Sequence, residues 1–310
     1  MDRLAGAPIS WGVCEVPGWG VELPRSRVLS EMRELGLVAT ELGSDGYLPT
    51  DADELRRLVT DEHGLEMIGG FVPVVVHDPA QEAATIAAAR RAAALMSGAG
   101  GTLFISAAVT TWDWDPREPV SADGWRQAVH MLSVIDEVVG EYGMVQALHP
   151  HLGTIVENDD DVRRVLDTSE VGWTFDMGHL MIGGTDPSAF VAEAFPRIRH
   201  VHLKDVDLGL AAPVLAGDQS IMQGVQAGMF TNLGAGDVPV AACIRALESF
   251  GYDQWYVLEQ DAAITGPVPA IGSGPILDVR TSIEFLRAID ADLAATPPGG
   301  EAADDAEVRS

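Results

Sequence analysis

The sequence predicts an α/β fold, a single-domain (β/α)8 TIM barrel over residues 1–292, on three observations. Strand-like and helix-like segments alternate through eight successive units, and right-handed crossovers between parallel strands close such a series into a barrel. The competing doubly wound sheet usually carries a glycine-rich first turn, which Ile9-Ser10-Trp11-Gly12 does not supply. Four strand-like segments also end in a potential metal ligand, at His149, Asp176, His202 and Glu259, and a barrel brings such strand ends to one face.

The elements follow in order. A first strand is expected over Ala7 to Val13. A helix follows from Pro24 to Leu35, with Val28, Leu29, Met32 and Leu35 on one stripe and Gly36 as its stop. Leu37 to Leu42 reads as the second strand, ending in the polar Glu41. Thr50, with Asp53 three residues on, is the expected cap of a helix carrying Leu55, Leu58 and Val59. The third strand, Leu65 to Val76, ends at His77, and an alanine-rich helix runs from Ala80 to Met96. Thr102 to Ser106 is the fourth strand, with a long helix from Ser121 to Tyr142. The fifth strand ends at His149, the sixth at Asp176, the seventh at His202 and the eighth at Glu259. Their helices are expected near Asp159 to Leu166, Pro187 to Phe195, Pro239 to Phe250 behind Asp237 as cap, and Leu277 to Ile289.

Two stretches stand apart. Asp207 to Gly236 is expected to be a long loop over the site, apolar enough at Met222, Met229 and Phe230 to dock on the barrel. Residues 293–310 turn to Ala, Pro, Gly and acidic residues, the composition of an acidic disordered tail.

Composition bounds the function. At 310 residues and 47% hydrophobic content the chain can bury a large core. A formal net charge of −28 argues against nucleic acid or an anionic membrane as partner. Two cysteines, Cys14 and Cys243, are too few for a disulfide framework. No long apolar run or leader-like segment is seen, so the expected protein is soluble and cytoplasmic, with a small-molecule substrate. Self-association stays open.

The chemistry concentrates at the strand ends. Two carboxylates and two imidazoles are oxygen and nitrogen donors suited to one divalent cation, Mn2+ first, with Mg2+, Co2+ or Zn2+ as alternatives. Five of the eight histidines, His77, His149, His151, His179 and His202, fall at or just beyond strand ends. Glu41 faces the same mouth and could bind hydroxyls, with a rim salt bridge as its plainer reading. Lys204 could neutralise a developing enolate oxygen or simply pair with Asp205. Trp11, Trp112 and Trp114 could stack on a ring or serve packing. Gly234-Ala235-Gly236-Asp237 reads as a helix cap rather than a phosphate site, having Asp237 and no nearby arginine.

The segments Thr174-Phe175-Asp176-Met177-Gly178-His179, His200-Val201-His202-Leu203-Lys204-Asp205 and Val257-Leu258-Glu259-Gln260-Asp261 resemble signatures of the xylose-isomerase-like barrel superfamily. Ala7-Pro8-Ile9-Ser10-Trp11-Gly12-Val13, Ala39-Thr40-Glu41-Leu42-Gly43 and His149-Pro150-His151-Leu152-Gly153-Thr154 are similar to inosose dehydratases within it, and the resemblance spans Ala7 to Ala288. It implies a shell of His149, Asp176, His202 and Glu259, with a histidine where many relatives place a glutamate. Epimerases of the superfamily use two opposed glutamates, so this swap favours dehydration over epimerisation. The implied reaction is loss of water from an inosose-like keto-cyclitol or keto-sugar through a metal-stabilised enediolate. Glu259 would be the base, with His149 or His151 as second choice, and an imidazolium would protonate the leaving hydroxyl. Substrate contacts would come from Glu41, His77, His179, Trp11 and Trp112. A ketose epimerase or isomerase, or a metal-binding barrel subunit that needs a partner, are the alternatives.

Overall fold

The computed structural model describes residues 3–295. The first half of the barrel comprises β1 (Leu4–Gly6), α1 (Arg25–Glu34), β2 (Ala39–Thr40), α2 (Ala52–Arg56), β3 (Glu66–Met67), β4 (Gly69–Val74), α3 (Glu82–Gly98), β5 (Leu103–Ala108) and α4 (Ala122–Gly140). The second half adds β6 (Val145–Leu148), α5 (Asp159–Thr168), β7 (Trp173–Asp176), α6 (Met177–Ile182), α7 (Pro187–Ala194), β8 (Ile198–Leu203) and β9 (Asp205–Val206). It continues with α8 (Leu208–Leu215), α9 (Ile221–Gln226), β10 (Phe230–Thr231), α10 (Val240–Ser249), β11 (Tyr256–Leu258) and α11 (Pro275–Ala295).

Nine of these strands form one parallel sheet in the order β3-β2-β1-β11-β8-β7-β6-β5-β4, a nearly closed barrel ringed by helices. Its two outer members are halves of the single strand expected over Leu65 to Val76. Ile68 stands between them and works for both: its N–H donates to Thr40 O (3.0 Å) beside β2, and its carbonyl accepts from Leu103 N–H (3.1 Å) beside β5. The ring thus completes itself through a strand that changes neighbours midway. Gly69 makes the crossing possible, because a Cβ there would collide with the Leu103 carbonyl oxygen.

Two apolar layers result. Ala5, Ala39, Ile105, Ala147 and Val257, all from strands, fill the barrel's inside with mostly small side chains. A larger layer joins the sheet to the helices, and the predicted stripe Val28, Leu29 and Met32 of α1 is wholly buried in it. Each such side chain contributes about 1.5–3 kcal/mol. That lower core leaves the mouth free to be polar.

Several boundaries differ from expectation, each for a local reason. β1 ends at Gly6, not Val13, because Pro8 has no N–H to extend the ladder and opens a 3-10 turn, Pro8–Trp11. Asp51, not Thr50, caps α2, accepting from Glu54 N–H. Asp237 does not cap α10; its carboxylate accepts from Leu208 N–H at 2.8 Å. The turn 234–236 folds around Asp205, whose carboxylate accepts from Gly234, Gly236 and Val238 N–H. The covering segment 207–236 is no plain loop: it holds α8 and α9, and β10 pairs antiparallel with β9. Met229 and Phe230 are buried within it, so it docks as expected. α11 runs to Ala295, past the expected boundary at 292, with Leu293 packed against the core. Residues 296–310 of the expected tail lie outside the described residues. No helix among the described residues is long and apolar enough to cross a membrane, and Cys14 and Cys243 are both free.

The closure argument is testable at Gly69. Gly69→Ala should lower folding stability by about 3 kcal/mol or more, the scale of severe backbone clashes, read as a shifted urea midpoint. An unchanged midpoint would mean that the β4–β5 seam tolerates a side chain there.

Candidate metal centre and active site

Neighbouring strands deliver the cluster. His149 follows β6, Asp176 ends β7, His202 lies in β8 and Glu259 follows β11. Across the sheet, Asp176 and Val257 both pair with His202. The four ligating atoms lie within 4.8 Å of one another, and all four residues are buried. His202 Nδ1 is 2.7 Å from Glu259 Oε2, 3.0 Å from His149 Nε2 and 3.5 Å from Asp176 Oδ2.

Glu41, just past β2, orients this imidazole. Its Oε1 accepts from His202 Nε2 at 2.8 Å and from His200 Nε2 at 2.7 Å. With Nε2 donating, the Nδ1 lone pair of a neutral His202 faces His149, Asp176 and Glu259. One proton on Nδ1 cannot serve three neighbours; a divalent cation among the four atoms serves them all. The mixed nitrogen and oxygen donors fit Mn2+, Co2+ or Zn2+. His149 lacks a comparable support, its buried Nδ1 being unpaired among the described residues.

Charge at the site is concentrated and paired. Lys204 is 1% exposed, and its Nζ reaches Asp261 at 2.9 Å, Glu259 at 3.0 Å and Asp176 at 3.3 Å. Burial disfavours its charged form, but the Asp176, Asp261 and Glu259 carboxylates outweigh burial and hold the ammonium well above its ordinary range. Burial likewise opposes charge on His202, and Glu259 and Glu41 overcome it, holding the imidazolium well above the usual value. Against burial, His202 and His200 keep Glu41 ionised, down to about 2. His202 and Lys204 do the same for Glu259, and Lys204 for Asp176.

A second group adjoins the first. His151, His179 and Asp261 bring ligating atoms within 4.8 Å of one another. The His151 and His179 rings lie 4.0 Å apart between centroids, each 5.4 Å from His149. Burial pushes His151 down to about 3 and holds His179 well below its usual value. Both imidazoles are therefore neutral. Asp261 moves the other way: burial outweighs Lys204 and pushes it up to about 6.

The structure does not bring every candidate here. Glu41 is buried at the site but spends its carboxylate on two histidines rather than facing a ligand. Trp11 is 0% exposed, its indole N–H donating to Glu31 of α1, so it packs the core and offers no free face. His77 and Trp112 line a separate cleft that none of the four clustered ligands borders. Lys204 does not pair with Asp205.

Three residues, Asp261, His200 and Phe71, enter without having been singled out. Asp261 sits two residues after Glu259, and His200 two before His202; same-face alternation along an extended chain was the signal for both. Phe71 meets the edge of His149 (centroids 5.7 Å) and stacks on Trp114 (6.1 Å), which also meets His151 (5.7 Å). Trp114 had been noted only as a stacking or packing tryptophan. Nothing local in the sequence marks these aromatic contacts, because they arise between different strand ends.

Comparison with known proteins agrees with this architecture. Residues 29–289 match the model of the xylose isomerase-like TIM barrel family. Rhizopine catabolism protein MocC of Rhizobium meliloti is 33% identical over 268 residues, 84% of this chain and 81% of the relative. An inosose dehydratase of Geobacillus kaustophilus is 30% identical over 279 residues, 86% and 90% of the two chains. Among solved structures, L-ribulose 3-epimerase superposes with TM-score 0.69 at 16% identity, covering 96% of this chain and 100% of its own. The probable 3-DHS dehydratase AsbF of Bacillus anthracis gives 0.68 at 16%, covering 92% and 98%. IOLI protein with a bound zinc atom gives 0.67 at 14%, covering 94% and 98%. These three structural likenesses show the fold.

Glu41→Gln tests the second layer of the cluster. It should leave the barrel folded and weaken divalent-ion binding by about 10–100-fold, the usual cost of removing such a support, measured by competition against a fluorescent chelator. Unaltered affinity would show that Glu41 does not orient His202 for an ion.

Proposed function

Because the chain belongs to the xylose isomerase-like TIM barrel family, we propose that it is a metal-dependent carbon–oxygen lyase removing water from an inosose-like keto-cyclitol or a related keto-sugar. One observation carries this reading. A buried shell of two imidazoles and two carboxylates sits in a chain that is 26–33% identical to its relatives over most of its length, among them inosose dehydratases. The reducing cytoplasm is the setting we propose, on the two free thiols.

The reaction removes a proton from the carbon beside the ketone and a hydroxyl from the next carbon, forms a double bond between them and releases water. Electrons balance without a redox partner. A divalent ion held by His149, Asp176, His202 and Glu259 would supply Lewis acidity toward the carbonyl oxygen. Lys204, kept cationic by three carboxylates, adds fixed positive charge beside the same place.

The proton handling differs from the sequence-based expectation. Glu259 is held strongly ionised by His202 and Lys204, which makes it a poor base. His151 and His179 are neutral, so neither supplies an imidazolium. Asp261, pushed up to about 6 by burial, has the carboxyl best matched to neutral solution. We assign proton transfer to Asp261, with His151 and His179 holding the substrate hydroxyls around it. A carboxylate that takes the proton from carbon becomes the acid that the departing hydroxyl needs.

The test is a mass-spectrometric screen of keto-inositols and 3-keto-sugars with added Mn2+. Loss of one water from at least one of them is expected, and deuterium exchange without water loss would replace the lyase reading with the epimerase. Asp261→Asn should then cut kcat by about 10²–10⁴-fold with metal content unchanged. Retained kcat in that variant would move the proton transfer elsewhere.

A further inference from the structure

The segment 109–121, after β5, is shared by two spaces. Trp114 holds φ at 57°, a left-handed conformation that non-glycine residues seldom adopt. There its ring stacks on Phe71, 6.1 Å between centroids and 13° between planes, beside His151. Two residues earlier, Trp112 lies in a neighbouring cleft of about 920 Å³, where it is 39% exposed. Its indole N–H donates to Gln81 at 2.9 Å, which fixes the ring. One turn therefore presents one indole toward the ion-binding cluster and another to the cleft. An isolated bridge between Val109 and Thr154 ties this segment to the loop that carries His151.

The cleft's chemistry is specific. His77 Nδ1 and Thr110 Oγ1, from two of its lining residues, are buried and have no hydrogen-bond partner among the described residues. Leaving such atoms unpaired is unfavourable, and a hydroxyl reaching them from the cleft would pair them. Arg117 is already engaged by Asp161 at 2.8 Å and Glu157 at 3.4 Å. Asp78, Asp115 and Glu118 add negative charge to the lining, so phosphate or carboxylate is disfavoured. A flat indole, two uncommitted polar atoms and no free cation suit a neutral hydroxylated ring, and the volume exceeds what a small substituent needs.

We propose that this cleft receives the neutral, hydroxylated substituent of a glycoside-like substrate whose keto ring lies at the ion-binding cluster. The assignment of the keto ring rests on the lyase reading above; occupation of the cleft by a sugar does not.

Two measurements keep those parts separate. In ligand-observed NMR titrations of the metal-loaded protein, methyl glucoside should bind saturably and glucose 6-phosphate at least tenfold more weakly. Trp112→Ala and the near-isosteric Thr110→Val should each weaken methyl glucoside binding severalfold or more while leaving the melting curve unchanged. No saturable binding, equal binding by both variants, or preference for the phosphate ester would overturn the cleft assignment, whatever the enzyme catalyses. In turnover, Trp112→Ala should lower kcat/KM for an O-glycosylated keto-sugar at least tenfold more than for the unsubstituted one. Equal effects on both would overturn the link between cleft and cluster.

Discussion

Carboxylates shut away from water must be met by cations, and this requirement organises the whole upper face of the barrel. Asp176, Glu259 and Asp261 are all buried, and Lys204 touches all three. A lysine that is itself buried survives there only because three negative groups surround it. Lys204 Nζ also lies over the Phe230 ring, 5.0 Å from its centroid, so the covering segment supplies a lid to the same charge. The ion-binding cluster is the other half of this balance. His202 faces two carboxylates and an imidazole, with Glu41 behind it, and is held cationic by them; a divalent cation bound there would take over that role.

The barrel supplies the rigidity that such a balance needs. His202 lies between β7 and β11, each of which brings a carboxylate to it. Asp205, the next charged residue after Lys204, is wrapped by backbone N–H groups of the 234–238 turn and so takes no share in neutralising the lysine. Asp205 and Asp207, the latter accepting from Leu210 N–H at the start of α8, therefore hold the cover in place, while the acids at 176, 259 and 261 hold the site. Similar residues divide into two roles according to whether backbone N–H groups or side-chain cations reach them first.

Much of this was legible in the sequence because strand ends are periodic and polar ligands after apolar runs stand out. The alternation of elements, the four clustered residues, the stripe of α1 and the docked cover at Met229 and Phe230 could all be read that way. Other features depend on contacts that no local pattern records. Trp11 looked like a stacking residue until Pro8 was seen to end β1 and turn the indole into the core. Glu41 reads in the sequence as a hydroxyl contact or a rim salt bridge, but His200 and His202, some 160 residues away, claim its oxygen. Lys204 had an obvious neighbour in Asp205, yet its partners come from two other strand ends. The acid–base assignment depends on such contacts too: both carboxyls are buried, but His202 and Lys204 hold Glu259 ionised while burial outweighs Lys204 at Asp261.

The pairing of β1 with β11, Leu4 beside Tyr256, has a consequence in time rather than in space. The strand that carries Glu259 lies between β1 and β8, elements drawn from opposite ends of the barrel's sequence. Until β11, the last strand, takes its place in the sheet, only three of the four clustered side chains can be in place, and Lys204 lacks two of its three carboxylates. A cation held by all four side chains would thus belong to the finished barrel, a passenger on a completed fold rather than the seed around which the chain condenses.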